Sequence, residues 1–403
     1  MSTSLAETIF WVGVNDYETD LFEALWPLPY GISYNSYLIQ DQKAALIDTI
    51  KKCYFPEYIR SIRQHLEENG KVDYLIINHM EPDHSGGIEM LTAEFPEIEI
   101  VGNEKTADMV AHFYGIKKNI RVVKDQEVLS LGTHQLKFFM TPMLHWPETM
   151  MTYEEKTQTL FSGDAFGGFG ALKGGIFDDQ TDLEWYKGEA RRYFSNILGK
   201  YCAIAQRTIA KLENLPIRII ASTHGPVFRK NPKTIVDWYK QWSLCQTENG
   251  AVIVYASMYE NTRRMAERIA RALAEGGVEK IKVWNISRTH PSYVLSDLWQ
   301  YRGLILGSCT YNAKLFPWVE ILISMLDNSQ IKDHLLGLFG TYAWSSGVLS
   351  QLKNFAQKGN WTLIEPALEC KGAPTDEILT QCDILGRNFA KALASSVRIL
   401  EGS

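Results

Sequence analysis

Four residues with metal-binding side chains lie within six consecutive positions, at His79, Glu81, Asp83 and His84. The apolar segment 74–77 just before them is typical of a buried strand, whose rigid end can hold ligands in place. Alternate residues of an extended chain point to one side, so the first three side chains can converge on one cation while His84 contacts a second. A polar turn is the alternative interpretation, but two imidazoles and two carboxylates this close together favour a metal site.

Three further candidate ligands, His145, Asp164 and His224, each follow a segment that predicts a strand. These segments are residues 136–140, 157–161 and 217–221. Taken alone, each residue is readily explained as a core histidine or a turn aspartate. The repetition of strand, loop and ligand four times along the chain favours one shared site. The other histidines lack this context and are expected at the surface or in ordinary core positions: His65, His112, His134, His290 and His334.

Composition excludes several classes of protein. The 403 residues suffice for about two or three domains, and 45% hydrophobic with 22% charged residues is ordinary for a globular protein. A net charge of −6 gives no basic footprint for nucleic acid, and no apolar run reaches membrane-spanning length. Six scattered cysteines without a Cys-x-x-Cys pair, and a first segment without signal-peptide character, predict a cytoplasmic protein with reduced thiols and no four-cysteine metal module.

The chain changes character near residues 244–250. Before this point the pattern predicts a β-rich mixed domain, with strands at 9–12, 36–39, 44–47, 74–77, 97–101, 128–131 and 135–140 and helices at 56–69, 88–95 and 107–114. After it, the near-continuous apolar segment 251–256 is typical of a strand covered on both faces. Further strands at 278–284, 303–307, 335–339 and 361–364 alternate with helices, the last at 376–400, which predicts a doubly wound parallel sheet.

Three loops follow strands of this second sheet, where such folds bind ligands. The first has hydroxyls and backbone N–H groups at a helix start, which suits a phosphate; the others have aromatic side chains and backbone donors, which suit a planar ring. A helix cap at Asn261 or Thr262, and ordinary core or surface aromatics, are the alternatives. The candidate residues are Ser257, Met258, Tyr259, Glu260, Asn261, Thr262, Ser308, Cys309, Thr310, Tyr311, Asn312, Thr341, Tyr342, Ala343, Trp344, Ser345 and Gly347.

The pattern His-x-Glu-x-Asp-His, with His, Asp and His after later strands, resembles the metallo-β-lactamase-like domain of the flavodiiron proteins. The second half is similar to flavodoxins. Over nearly the whole chain, the resemblance implies an α/β protein: an αββα metallo-β-lactamase-like domain at 1–248 and a flavodoxin-like doubly wound parallel sheet at 249–403. It implies FMN and two non-haem iron ions, one held by His79, Glu81 and His145, the other by Asp83, His84 and His224, with Asp164 bridging.

Individual residues refine this interpretation. Ordinary hydrolytic members of the fold have His where this chain has Glu81, and a carboxylate in place of a nitrogen shifts metal preference from zinc towards iron. Glu260 stands where flavodoxins usually have Gly, so a positive φ there would be strained and its carboxylate would repel the phosphate unless it points to solvent. Cys309 stands where Pro is common and is expected to be a small buried residue. Tyr193, or the neighbouring Phe194, is a candidate pocket residue, and the aromatics Trp146, Phe166 and Phe169 are candidates to line the same pocket; ordinary core packing is the alternative.

The resemblance implies reduction of dioxygen to water, or of nitric oxide to nitrous oxide, with electrons passing through FMN. It also implies a separate electron donor, such as rubredoxin, its reductase or a reduced deazaflavin coenzyme, and a head-to-tail homodimer or dimer of dimers. No nucleic-acid or membrane partner is expected. The alternatives are a zinc metallo-hydrolase with a flavodoxin-like accessory domain, and a redox-sensing flavoprotein with a vestigial metal site.

Overall fold

The computed structural model describes residues 3–67, 70–329, 331, 333–359 and 361–400, with side chains as far as 395. The chain forms two compact units, Met1–Lys240 and Gln241–Ser403. The boundary expected between residues 248 and 249 falls slightly further along the chain and stays a prediction. Within the described residues, every helix is either too short or too polar to cross a bilayer.

The described part of the first unit contains two larger sheets and two small antiparallel strand pairs, Val14–Asp16 with Ile32–Tyr34 and Leu21–Phe22 with Trp26–Pro27. A seven-stranded sheet has the order β1-β2-β7-β8-β9-β10-β11, and a five-stranded sheet has the order β12-β13-β14-β15-β16. The strands are β1 Thr3–Ala6, β2 Ile9–Trp11, β3 Val14–Asp16, β4 Leu21–Phe22, β5 Trp26–Pro27, β6 Ile32–Tyr34, β7 Tyr37–Ile39, β8 Ala45–Ile47, β9 Tyr74–Ile76, β10 Glu99–Gly102, β11 Ile120–Val122, β12 Val128–Ser130, β13 Gln135–Met140, β14 Met150–Glu154, β15 Thr159–Phe161 and β16 Ile219–Ala221.

Buried apolar residues from both sheets share one core, in which Ile47 and Ile76 of the first sheet belong to the same cluster as Phe138 and Phe161 of the second. Such face-to-face packing buries one side of each sheet. The helices of this unit are α1 Phe55–Arg63, α2 Pro82–Ser85, α3 Ile88–Glu94, α4 Glu104–Tyr114, α5 Leu183–Tyr193, α6 Cys202–Leu212 and α7 Lys233–Ser243. Short 3₁₀ turns lie at Lys52–Tyr54, Asp178–Gln180 and Gly199–Tyr201, with a π-helical turn at Phe194–Leu198.

Local sequence signals explain where the helices begin and end. The Asn103 side chain accepts hydrogen bonds from the backbone N–H groups of Lys105 and Thr106, and so caps α4. The same helix stops at Gly115, whose φ of 69° suits a residue without a Cβ. Helix α1 begins with a proline in its first turn but ends at Arg63, so the expectation that it reached residue 69 is wrong.

The second unit is a parallel sheet with the order β18-β17-β19-β20-β21, and β22 also pairs with β20. All its pairings are parallel, and this is the 2-1-3-4-5 order of flavodoxin-like sheets. Its elements are β17 Glu248–Tyr255, α8 Asn261–Glu275, β18 Ile281–Asn285, α9 Pro291–Gln300, β19 Tyr301–Cys309, α10 Pro317–Asn328, β20 His334–Tyr342, α11 Val348–Lys358, β21 Trp361–Leu363, β22 Leu368–Lys371 and α12 Asp376–Leu400.

Alternate residues of β17 enter two separate cores, which confirms that both faces of this sheet are covered. Val252 and Val254 belong to one core, whereas Ala251 and Ile253 belong to the other. The sequence predicted a single strand at 361–364, but two short strands, β21 and β22, pair with successive parts of β20. The expected α/β class is confirmed in both units.

Candidate metal centre and flavin pocket

All seven predicted ligands of the first unit follow the ends of strands, and both sheets contribute. His79 lies shortly after β9 of the seven-stranded sheet, Glu81 is the N-cap of α2, and Asp83 and His84 lie within that helix. The other three come from the five-stranded sheet. His145 lies in the loop between β13 and β14, Asp164 follows β15 and His224 follows β16. The packing of the two sheets therefore brings these loops together.

The structure groups four of these residues around one possible cation position: His79, Glu81, His145 and Asp164 offer ligand atoms that all lie within 4.8 Å of one another. Glu81 Oε2 is 3.2 Å from His79 Nε2 and 3.3 Å from His145 Nε2. Asp164 Oδ2 is 3.2 Å from His145 Nε2 and 3.7 Å from His79 Nε2. Two imidazoles and two carboxylates thus face one point.

The remaining three ligands form a second group, in which Asp83, His84 and His224 also lie within 4.8 Å. Asp83 Oδ2 is 3.2 Å from His84 Nε2 and 3.3 Å from His224 Nε2. The two imidazole nitrogens are 3.0 Å apart. The alternation of side chains along the strand predicted that His84 would not share a cation with its neighbours. In the structure, His84 lies in this second group together with Asp83.

Asp164 connects the two groups because its two oxygens face in different directions. Oδ2 faces the first group, whereas Oδ1 is 2.9 Å from His84 Nε2 and 3.8 Å from His224 Nε2. The Thr223 hydroxyl donates a hydrogen bond to Oδ1 over 2.6 Å and fixes the carboxylate. This is the arrangement that a bridging carboxylate requires.

The electrostatics of the cluster favour cations. Although burial opposes it, neighbouring carboxylates raise the pKa of His145 and the pKa of His84 to about 9. Burial also opposes the shift of Asp164, yet the surrounding imidazoles hold its pKa well below the ordinary value. Without a metal, the imidazoles of His84 and His145 are therefore protonated at neutral pH and Asp164 is ionised, so positive charge already collects where metal ions would place it.

The donor set fits two iron ions. It consists of nitrogen and oxygen ligands without sulfur, a combination that suits non-haem iron. Both Asp83 oxygens are buried, and neither accepts a hydrogen bond within the described residues. A buried carboxylate that accepts no hydrogen bond is costly, and a metal ion beside it would remove that cost.

Several residues that hold the ligands were missed by sequence reasoning. The buried Asp48 accepts hydrogen bonds from the backbone N–H groups of Asn78, over 2.7 Å, and His79, over 3.4 Å. Glu148 accepts a hydrogen bond from His79 Nδ1 over 2.9 Å, and although burial opposes it, this bond, the charge of His79 and the Met80 N–H together hold the pKa of Glu148 below the ordinary value. The Ser33 carbonyl accepts a hydrogen bond from His224 Nδ1 over 2.7 Å. These contacts leave the Nε2 atoms of both imidazoles facing the centre.

Aromatic rings surround the second group. Tyr193 and Phe22 lie with their ring centroids 5.6 and 5.4 Å from that of His224, and the buried Tyr193 hydroxyl has no hydrogen-bond partner among the described residues. Phe169 packs on Tyr193 at 5.1 Å. Phe166 instead packs on Tyr239, with ring centroids 5.1 Å apart.

Trp146 packs against the first group. Its ring contacts the edge of His79 at a centroid distance of 5.2 Å. A separate cavity of about 640 Å³ opens beside Asp83 and is lined by Leu21, Phe22 and Lys51, among others. The centre is thus shielded by aromatic side chains but reached by a cavity on one side.

The second unit contains a cavity of about 300 Å³ at the carboxyl ends of β17, β19 and β20. Fourteen of the residues expected to bind a flavin line it, and Gly372 was not anticipated: the lining comprises Ser257, Met258, Tyr259, Asn261, Thr262, Cys309, Thr310, Tyr311, Asn312, Thr341, Tyr342, Ala343, Trp344, Ser345 and Gly372. Trp344 and Tyr259 are 83% and 82% exposed, so their ring faces are open to a planar ligand.

The first loop of this cavity suits a phosphate. Helix α8 begins at Asn261, and no side chain caps its N-terminus, so its first backbone N–H groups face an anion site. The Ser257 hydroxyl is buried and has no partner within the described residues. The Thr262 and Thr341 hydroxyls are 2.8 Å apart and link the first loop to the third. These donors fit the phosphate of FMN.

Three predicted flavin residues do not line the cavity. Ser308 is buried, and its hydroxyl accepts a hydrogen bond from the Phe316 N–H, so it shapes the second loop. Gly347, with a φ of 130°, precedes α11. Glu260 has a φ of 68°, the strained conformation expected for a residue in a glycine position, but its side chain is 61% exposed and pairs with Arg263. Cys309 is buried, as expected.

Comparison with known proteins agrees with this architecture. The family described as "ODP family beta lactamase" matches residues 32–225, and the flavodoxin family matches residues 253–383. An anaerobic nitric oxide reductase flavorubredoxin of Escherichia coli is 32% identical over 400 residues, which span 98% of this chain and 83% of that protein.

Solved structures resemble the whole chain. Rubredoxin oxygen:oxidoreductase of Desulfovibrio gigas is 26% identical with a TM-score of 0.94, covering 98% of this chain and all of that one. A variant of the flavodiiron protein of Thermotoga maritima is 26% identical with a TM-score of 0.89, covering 98% of each chain. Together with the ligand geometry and the flavin pocket, these similarities show that the chain belongs to the flavodiiron protein family.

Proposed function

We propose that this protein reduces dioxygen to water, nitric oxide to nitrous oxide, or both, at a diiron centre that receives its electrons through FMN. The observation that carries the proposal is Asp164, whose two oxygens face two separate groups of imidazoles and carboxylates. Two metal positions joined by one carboxylate can hold a diatomic molecule and reduce it. A flavin pocket in the same chain would bind FMN, the electron carrier that this reaction needs.

The protein residues have distinct roles in this proposal. His79, Glu81 and His145 would hold one iron, Asp83, His84 and His224 would hold the other, and Asp164 would contribute to both positions. When bound, the irons and FMN supply the redox chemistry, with four electrons and four protons for each dioxygen or two of each for a pair of nitric oxide molecules. The ring centroid of Tyr193 lies 5.6 Å from that of His224, and its buried hydroxyl has no hydrogen-bond partner among the described residues, so this hydroxyl is available to donate a hydrogen bond to a ligand at the centre. The surrounding aromatic rings restrict water.

The zinc hydrolase is the weaker alternative. A catalytic zinc site typically has three protein ligands and a bound water that acts as nucleophile. Here Glu81 lies 3.2 Å from His79 Nε2 and adds a carboxylate to the first group, which favours iron. A hydrolase also has no use for an aromatic pocket with a phosphate site at α8.

Metal and flavin analysis followed by rapid mixing tests the function. We expect about two irons and one FMN per chain, and reoxidation of the fully reduced protein by dioxygen, nitric oxide or both when each gas is mixed separately. Zinc in place of iron, with hydrolytic turnover, would establish the alternative. Iron and FMN at full occupancy, with no reoxidation by either gas, would refute the proposal.

We propose that the partners are a separate electron donor, such as rubredoxin, its reductase or a reduced deazaflavin coenzyme, and a second copy of this chain. Electron transfer requires FMN and iron to be close. A two-fold head-to-tail homodimer, alone or within a dimer of dimers, can bring the FMN of one chain to the irons of the other.

Complementation tests the dimer. Glu81→Ala combined with Asp164→Asn removes the iron site, and Thr262→Glu places a negative charge at the phosphate site. Each homodimer should be inactive, whereas a mixed dimer should regain activity, because one working pair of cofactors remains. Mixed dimers that have the expected cofactors but no activity would refute transfer between chains.

A further inference from the structure

The fully buried Glu148 directly contacts a ligand of the first metal group. It lies in the loop between β13 and β14, and its Oε1 atom is 2.9 Å from both His79 Nδ1 and the Met80 backbone nitrogen. Its Oε2 atom has no hydrogen-bond partner within the described residues. One carboxylate oxygen thus accepts both hydrogen bonds and directs its charge at the His79 imidazole.

The imidazoles of the second group have no such carboxylate. His224 Nδ1 donates its hydrogen bond to a neutral acceptor, the Ser33 carbonyl, over 2.7 Å. The buried Nδ1 atom of His84 has no hydrogen-bond partner in the part of the chain that the structure describes. The environment of the imidazoles therefore differs between the two groups.

The ligands themselves carry equal charge in the two groups. Each has two imidazoles and one carboxylate of its own, Glu81 in the first and Asp83 in the second, and both share Asp164. Two other carboxyl groups lie near the first group: Asp48 accepts hydrogen bonds from backbone N–H groups, and Glu23 is adjacent to Glu81. Glu148 is therefore distinguished by its direct hydrogen bond from a ligand imidazole.

A carboxylate bound to the outer nitrogen of a metal-ligating imidazole fixes its tautomer and makes it a more basic ligand. A more basic ligand stabilises the ion of higher charge, so it favours ferric over ferrous iron. We propose that Glu148 is a positioning residue that holds the proton on His79 Nδ1 and makes the iron of the His79 group the first of the two to be oxidised. This inference rests on the ligand assignment of the proposed function.

The variant Glu148→Gln separates charge from geometry. Its amide oxygen can still accept both hydrogen bonds, so iron should remain near two per chain, while the negative charge is lost. Outer-shell changes of this kind typically alter metal affinity about 10- to 100-fold. If ferric affinity falls tenfold and ferrous affinity is unchanged, the midpoint potential of a one-electron couple rises by about 59 mV.

An anaerobic redox titration with mediators measures this shift, because the mixed-valence state between the two couples is visible by electron paramagnetic resonance. Each step passes one electron from the iron centre to a mediator, and the His79 proton stays on Nδ1. The proposal requires the first oxidation couple to shift upwards. A shift confined to the second couple would overturn it, because the iron beside Glu148 would then be oxidised last.

Glu154→Gln is a matched control. Glu154 is also buried and contacts a histidine, His134 Nδ1, at 3.0 Å, but its partners His134 and Thr157 are not among the seven ligands. The Glu154→Gln variant should leave the midpoint potentials of both iron couples unchanged. Glu148→Gln should likewise leave the midpoint potential of FMN unchanged. If Glu148→Gln and Glu154→Gln have equal iron midpoint potentials, the proposed role of Glu148 is refuted.

Glu148→Asp provides a second variant if Glu148→Gln does not fold. It keeps the charge but shortens the side chain, so the midpoint potential of the first couple should rise by less than it does in Glu148→Gln. Loss of iron from both Glu148 variants, while Glu154→Gln keeps it, would show that Glu148 only supports the loop and would overturn the redox role. Wild-type protein without iron would instead refute the proposed function.

Discussion

Asp164 offers the most direct test of the two-metal centre. Its Oδ1 atom is 2.9 Å from His84 Nε2, and its Oδ2 atom is 3.2 Å from His145 Nε2, so one side chain serves both groups. In Asp164→Asn, one oxygen becomes an amide nitrogen that cannot coordinate a metal, and the negative charge shared by both positions disappears. The variant should therefore weaken both iron sites at once.

The expected loss follows from these contacts. A hydrogen bond to a charged group contributes about 1.5–3 kcal/mol. If each iron loses one interaction of this strength, its affinity falls roughly 10- to 150-fold, since about 1.4 kcal/mol corresponds to a factor of ten. Iron content should fall well below two per chain, whereas FMN, which binds in the other unit, should remain.

Iron and flavin are measured in the same purified sample, so FMN is an internal control for folding. Asp178→Asn is the matched variant, because Asp178 is a buried aspartate of the same unit that accepts hydrogen bonds from the Arg229 and Lys230 backbone. It should keep its iron. Undiminished iron and full activity in Asp164→Asn would remove Asp164 from the centre.

Other features of the molecule lead to four further predictions. Glu260→Gln should tighten FMN binding about two- to fivefold at low salt, since it removes a negative charge at a helix N-terminus; an equal Kd in a fluorescence titration would show that the carboxylate does not act on the phosphate. Ferrous iron added to metal-free protein at neutral pH should release one proton each from His84 and His145, because carboxylates, against the effect of burial, raise each pKa to about 9. The same raised pKa values stabilise the metal-free fold below pH 6.5, and this stability should be lost as the pH rises through 9, as denaturant titrations can measure. NADH alone should reduce the purified protein slowly, and rapid reduction would contradict the need for a separate donor.

One sequence rule located the candidate metal ligands. The rule is to select a polar residue that follows an apolar strand, and it identified His79, His145, Asp164 and His224. It works because the strand ends in this fold converge. The same rule would have found Asp48, which directly follows β8. Local pattern was sufficient here because the position of each side chain is set by the strand before it.

Other features depend on contacts between distant parts of the chain. Glu148 acts on His79, 69 residues away, and no local pattern distinguishes it from a surface loop carboxylate. The sequence predicted one strand at 361–364, whereas two strands, β21 and β22, pair with β20. Apolar spacing does not reveal this difference, because it depends on the pairing with β20. The positive φ of Glu260 was anticipated only through comparison with a glycine position.

The contribution of both sheets to the centre has a consequence for how the protein matures. The ligands of the first group extend from residue 79 to residue 164 and those of the second from residue 83 to residue 224, so neither iron position is complete until strands of both sheets have been synthesised and have docked. Iron must then bind after this unit has folded, so iron binding does not direct its folding. Once bound, iron would hold the two sheets together. Chelation should therefore raise hydrogen exchange mainly at the ends of β9, β15 and β16.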